Sequence, residues 1–121
     1  MTDLRTLETP HWSEGSRALR DVVAERVRQV REEGWTEQHD DQHSREELAL
    51  AAAVYALPSQ VRARPRPFDM VTLVDRIWPW DRSWFRPGDR RRDLVKAAAL
   101  LVAEIERIDR LAGGSAAASP P

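Results

Sequence analysis

The stretch that decides the fold is DRRRDLVKAAALLVAEIERIDRLA, residues 89–112. Leu94, Ala98, Leu101, Ile105 and Ile108 recur at +4, +3, +4 and +3, which is the period of one helix face. Alanine and leucine fill the body, and Gly113-Gly114 supplies a stop, so this spacing predicts a helix over about 89–112. The low-complexity stretch Ser115 to Pro121 completes an expected disordered tail over 113–121.

Two more helices are legible upstream. Leu19, Val22, Val23, Val27 and Val30 repeat at helical spacing, with Ser13 or Ser16 as N-cap and Gly34 as stop. This predicts a helix over about 16–33 with the apolar set inward. Ser44-Arg45-Glu46-Glu47 reads as a capping box, and an alanine-rich helix is expected from about 45 to Leu57, ending at Pro58. Its small side chains, and Ala97-Ala98-Ala99 of the third helix, would let the two backbones approach closely. A short helix over 68–77, capped by Asp69, would turn Val71, Val74 and Ile77 inward. The proline-broken run Trp78-Pro79-Trp80-Asp81-Arg82-Ser83-Trp84-Phe85-Arg86-Pro87 reads as an ordered aromatic loop. No strand pattern competes. The expected class is therefore all-α: a compact bundle of three main helices plus a short one, in a single domain over 1–112.

Composition narrows function by exclusion. The chain has 121 residues and no cysteine, which removes disulfides, thiolate metal sites and a Cys nucleophile. No apolar run reaches the roughly 20 residues that span a bilayer, and Met1-Thr2-Asp3-Leu4-Arg5 is not the start of a secretory signal, so a cytoplasmic location is expected. Net charge is −1, and no helix shows a continuous basic face, which argues against nucleic acid as a partner. Eighteen of the 19 basic residues are arginine, leaving Lys96 alone.

Two polar groups carry the candidate chemistry. His39-Asp40-Asp41-Gln42-His43 lies before the second helix. The four-residue spacing of its histidines echoes the zinc-protease pattern HExxH, in which both rings face one metal only if the stretch is helical. The Ser44 cap places the helix start after His43, and Asp40 is shorter than the glutamate base of that pattern. The alternative is a hard cation, Mg²⁺, held by Asp40, Asp41 and Glu47. A third reading has these acids complement the helix dipole. The second group, Arg90-Arg91-Arg92 with Lys96 one turn on, opens the third helix, where guanidinium forks and free N–H groups suit phosphate. An internal salt bridge, to the acidic segment around Asp40 and Asp41, is the competing use. In the aromatic loop two rings are expected in the core, with Trp80 and Trp84 left to stack on a base.

Taken in order, Arg26-Val-Arg-Gln-Val, Glu33-Gly-Trp-Thr, His39-Asp-Asp-Gln-His43, Glu47-Leu-Ala, Trp78-Pro-Trp80, Trp84-Phe-Arg-Pro87 and Arg91-Arg-Asp-Leu-Val-Lys-Ala97 resemble a family of small bacteriophage and prophage proteins, over about residues 24–110. That resemblance implies a phage context. A looser likeness is to all-α nucleotide pyrophosphohydrolases of the MazG type, which bind Mg²⁺ through Glu-x-x-Glu and Glu-x-x-Asp pairs. Here Glu106 and Asp109 would supply one pair, while Glu46 and Glu47 lack the matching Glu three residues on. Together these readings lead to an expected accessory protein that binds a nucleotide or nucleotide-derived signal between the second and third helices. His39, Asp40, Asp41, His43 and Glu47 would hold a cation or ribose, Arg91, Arg92 and Lys96 the phosphates, and Trp80 or Trp84 the base. The ligand would be sequestered, or hydrolysed by metal-activated water. The other expectation is a protein-interaction module or helical homo-oligomer whose function lies on a helix face.

Overall fold

The computed structural model describes the backbone of residues 15–43 and 45–118, with side chains to residue 113. Among the described residues there are five α-helices in chain order: α1 (Arg17–Arg31), α2 (Glu37–Asp41), α3 (Glu47–Ala56), α4 (Met70–Ile77) and α5 (Arg90–Ala118), with 3₁₀ turns at Ser59–Ala63 and Arg82–Trp84. Among the described residues there is no strand, so the all-α class and the bundle stand.

Local chemistry sets the helix starts. Ser16 caps α1 by accepting from the Leu19 N–H at 3.2 Å, and Asp69 caps α4 by accepting from the Thr72 N–H at 3.3 Å. Ser13 and Ser44 lie outside the described residues, and the capping box with them. Helix α3 instead begins at Glu47, after Glu46 in the left-handed region at φ +64°. Helix α2 is an addition to the sequence reading. Its five polar residues have no apolar period, but Thr36 caps it by accepting from the His39 N–H.

The core is the seam between α3 and α5. Leu48, Ala51, Ala52 and Tyr55 pack on Ala97, Leu100 and Ala103, and the alanines bring the two backbones together as their size predicts. Arg90 at the start of α5 donates to the carbonyls of Ala56 and Leu57 at the end of α3, so these helices are antiparallel. On the other flank Asp21 and Glu25 of α1 meet Arg91 and Arg92, while Arg26 reaches Glu106; α1 runs in the same direction as α5. Trp35, Trp78, Trp80 and Phe85 close the core from the loops.

Three expectations need correction. First, α1 is turned the other way round. Its buried residues are Glu25 and Gln29, and Leu19, Val23, Val27 and Val30 are exposed. The reason is electrostatic: Glu25 is held by Arg28 and Arg92, so this acid tolerates burial between two guanidinium groups. Second, α5 buries Asp93, Ala97, Leu100 and Glu104, and leaves Leu94, Leu101, Ile105 and Ile108 in water. Val71 of α4 is exposed too, although Val74 is fully buried. Third, α5 does not stop at Gly113-Gly114 but continues to Ala118. Glycine costs a helix about 1 kcal/mol, and neither residue turns the chain into the left-handed stop. No described helix is long and apolar enough to cross a membrane.

Candidate functional site

Helix α2 and the turn after it place the polar cluster. Asp40 falls on the inward side, is fully buried, and accepts from Arg26 Nη2 at 2.6 Å. Asp41, the next residue, points the other way to Arg110 at 2.8 Å. The His43 N–H donates to the Asp40 carbonyl at 3.0 Å, which continues the helical turn past α2. His39 and His43 therefore project to the same side, and their Nε2 atoms come within 3.4 Å. Behind each ring stands a carboxylate. His39 Nδ1 lies 3.3 Å from Asp40 Oδ1, and His43 Nδ1 lies 3.1 Å from Glu47 Oε2. Burial alone would raise the Glu47 carboxyl, but hydrogen bonds from His43 and from the Arg45 N–H bring it below its ordinary value.

Indoles surround these imidazoles. Trp35 stacks on His39 with centroids 6.0 Å apart and planes 8° apart. Trp80 sits 5.3 Å from His43 and 5.8 Å from Trp35, and Trp84 lies 6.5 Å from Trp35. Trp78 and Phe85 instead turn to Tyr55 and the core. The result is an open depression of about 380 Å³ lined by both histidines, Trp35, Trp80, Trp84, Glu33 and Asp81. Sequence reasoning named four of the seven and missed Trp35, Glu33 and Asp81. The position of Trp35, between a helix stop at Gly34 and the cap Thr36, was the available signal for it.

The basic run goes elsewhere. Arg90 closes the end of α3, Arg91 pairs with Asp21 at 2.8 Å, and Arg92 pairs with Glu25. Lys96 donates to the Arg86 carbonyl at 2.5 Å and lies over the Tyr55 ring. Burial, with Arg92 nearby, lowers its pKa. Of the three expected phosphate ligands only Lys96 reaches the aromatic side, where it lines a narrow cleft with Trp35, Trp84 and Glu33. Arg110, the partner of Asp41, lies 18 residues beyond Arg92 on the same helix. At 1.5 Å per residue that is about 27 Å, so the acidic and basic groups do not meet. Their expected mutual salt bridge is replaced by Arg26 and Arg110 on one side, and Asp21 and Glu25 on the other.

The Mg²⁺ set does not converge either. Asp40 is taken by Arg26, Asp41 by Arg110 and Glu47 by His43. Among the described residues, no group of three or more His, Asp or Glu side chains is placed to hold an ion. Glu106 and Asp109 lie on the exposed side of α5, with Glu106 near Arg26.

No family model, curated protein or solved structure matches the chain. Function must then be argued from this geometry. It offers two features: a wide apolar surface on α1 and α5, and the paired imidazoles beside the indole depression.

Proposed function

We propose that the chain is a helical interaction module that pairs with a second copy of itself through the outer faces of α1 and α5. The observation that carries this reading is the inversion of α1, which buries a glutamate and a glutamine while leaving four aliphatic side chains in water. Their spacing is 4, 4 and 3, and that of Leu94, Leu101, Ile105 and Ile108 is 7, 4 and 3. Stripes of that period pack helix against helix. The α1 stripe reaches the α1–α5 contact at its C-terminal end, where Val27 and Val30 line one depression with Glu106 of α5. With Val102 and Leu111 the exposed set ranges from 36% to 66% in water. At roughly 170 Å² for a fully exposed aliphatic residue the two stripes together sum to about 800 Å², the order of one partner's share of a standard interface. A second copy supplies the same two stripes, and closes a four-helix layer.

The test is a charge placed in the stripe. Ile105→Asp and Val23→Asp should each elute as a smaller species than the wild type while keeping its helical circular dichroism. Val71→Asp, on the exposed side of α4, should elute unchanged. An unaltered elution volume for both stripe variants would remove this reading.

A second reading is favoured by the indole depression. Three indoles and two imidazoles around one opening suit a planar ring, as in a phage-type protein that sequesters or hydrolyses a nucleotide or nucleotide-derived signal. Arginines committed to internal partners make it a poor phosphate site. A rise in melting temperature with a nucleotide, abolished by Trp84→Ala, supports it; no rise with any nucleotide, with or without Mg²⁺, counts against it.

A further inference from the structure

We infer that His39 and His43 form a two-histidine site for a borderline transition-metal ion of the Zn²⁺, Ni²⁺ or Co²⁺ class, open on the side of the indole depression. The inference is independent of self-association.

A carboxylate accepts and does not donate, so Asp40 and Glu47 select the tautomer with the proton on Nδ1 of His39 and His43. Asp40 is itself fixed as a carboxylate partner by Arg26. Each Nε2 then carries a lone pair, and the two lone pairs face each other across 3.4 Å. Two acceptors at that distance repel unless a cation lies between them, either a proton, which makes an Nε2–H···Nε2 hydrogen bond, or a metal ion that both lone pairs coordinate. For a tetrahedral ion with metal–nitrogen bonds of about 2.0–2.1 Å, the separation of two ligand nitrogens is about 3.3–3.4 Å. The observed spacing fits that geometry. Carboxylates behind both rings complete the usual outer support of metal-bound histidine, orienting each ring and raising its basicity.

Donor type excludes Mg²⁺, which requires oxygen ligands at octahedral angles, and favours ions that accept imidazole. The side chains of His39 and His43 are 32% and 20% exposed, so an ion can enter from the depression. Its remaining positions would be filled by water or by ligand atoms entering there. Two protein ligands imply a site of modest affinity that exchanges what it holds.

The neighbouring rings provide the readout. Ni²⁺ and Co²⁺ quench tryptophan emission at short range, and Trp35 and Trp80 lie within about 6 Å of the imidazoles. Adding Ni²⁺ to the full chain should quench its fluorescence saturably, with one ion per chain, and Zn²⁺, which has a filled d shell, should reverse the loss by competition. His39→Gln and His43→Gln should each weaken binding at least tenfold. Glu47→Gln should weaken it about tenfold or more while keeping the stoichiometry. If either histidine variant loses its helical signal, selective broadening of two histidine ring resonances by Co²⁺ in the wild-type NMR spectrum tests the same pair. Fluorescence unmoved by millimolar Ni²⁺, quenching that Zn²⁺ does not reverse, or equal binding by a folded His39→Gln variant would overturn the inference.

Discussion

Replacing Glu25 by alanine strikes the contact that holds α1 with its polar side inward. The carboxylate is 2% exposed and accepts from Arg28 Nε at 2.8 Å and Nη2 at 3.0 Å, from Gln29 Nε2 at 3.2 Å, and from Arg92. Burial works against its charge, and Arg28 and then Arg92 overcome that, so its pKa lies below the ordinary 4.5. Breaking a fully buried ion pair from one side costs about 3–5 kcal/mol, because a charge is left unpaired in the interior. Here the loss is smaller. Arg28 keeps Glu33 at 2.9 Å, and the side chains of Arg28 and Arg92 are 30% and 39% exposed and can turn to water. The expected cost is about 2–3 kcal/mol, or roughly 10 °C in melting temperature for a domain of this size. Glu25→Gln preserves the shape and one hydrogen bond, and should cost about half as much. Urea titration monitored by circular dichroism, at one fixed protein concentration, measures both. A Glu25→Ala variant within about 0.5 kcal/mol of wild type would mean that the acid is solvated, and that α1 carries its valines inward after all.

The same contacts lead to two further outcomes. Glu25 and Glu47 both have folded pKa values below the ordinary 4.5, so their contribution is fully present above that pH and is lost as pH falls through the lowered values. Melting temperature should hold down to about pH 5 and drop below 4.5, with a shallower drop in Glu25→Gln; an equal drop would refute the assignment. Arg90→Ala removes two hydrogen bonds, at 2.6 and 2.8 Å, from the last carbonyls of α3. From an exposed position this should cost about 1 kcal/mol, and faster amide exchange should be confined to the α3 terminus and the start of α5.

The helices were legible because apolar period and caps are local. Ser16 and Asp69 cap where the sequence places them, and the alanines of α3 and α5 meet as their size implies. Which face points inward was not legible for α1 and α5. Periodicity finds the apolar stripe of a helix but not what covers it, and the same stripe serves a core or an interface. The inward side of α1 depends on Arg92, 67 residues from Glu25, a pairing with no local trace. The site divides in the same way. His39 and His43 share a side because four residues complete about one turn; their spacing implied this only for a helical stretch, and the expected helix start after His43 argued against one. That α2 would form at all depended on the single cap Thr36. The partners of the basic run were not legible because charge can be read from sequence and commitment cannot: Asp21 and Glu25 pair with Arg91 and Arg92.

Pairing through the outer faces of α1 and α5 is decided by the mass of the unmodified chain in solution, measured by sedimentation equilibrium over a range of concentrations. If the outer faces of α1 and α5 pair, the mass rises to at least twice the 13.9 kDa of one chain, and returns to that value in Ile105→Asp. A wild-type mass of 13.9 kDa at every concentration would contradict this pairing and leave those ten aliphatic side chains in water.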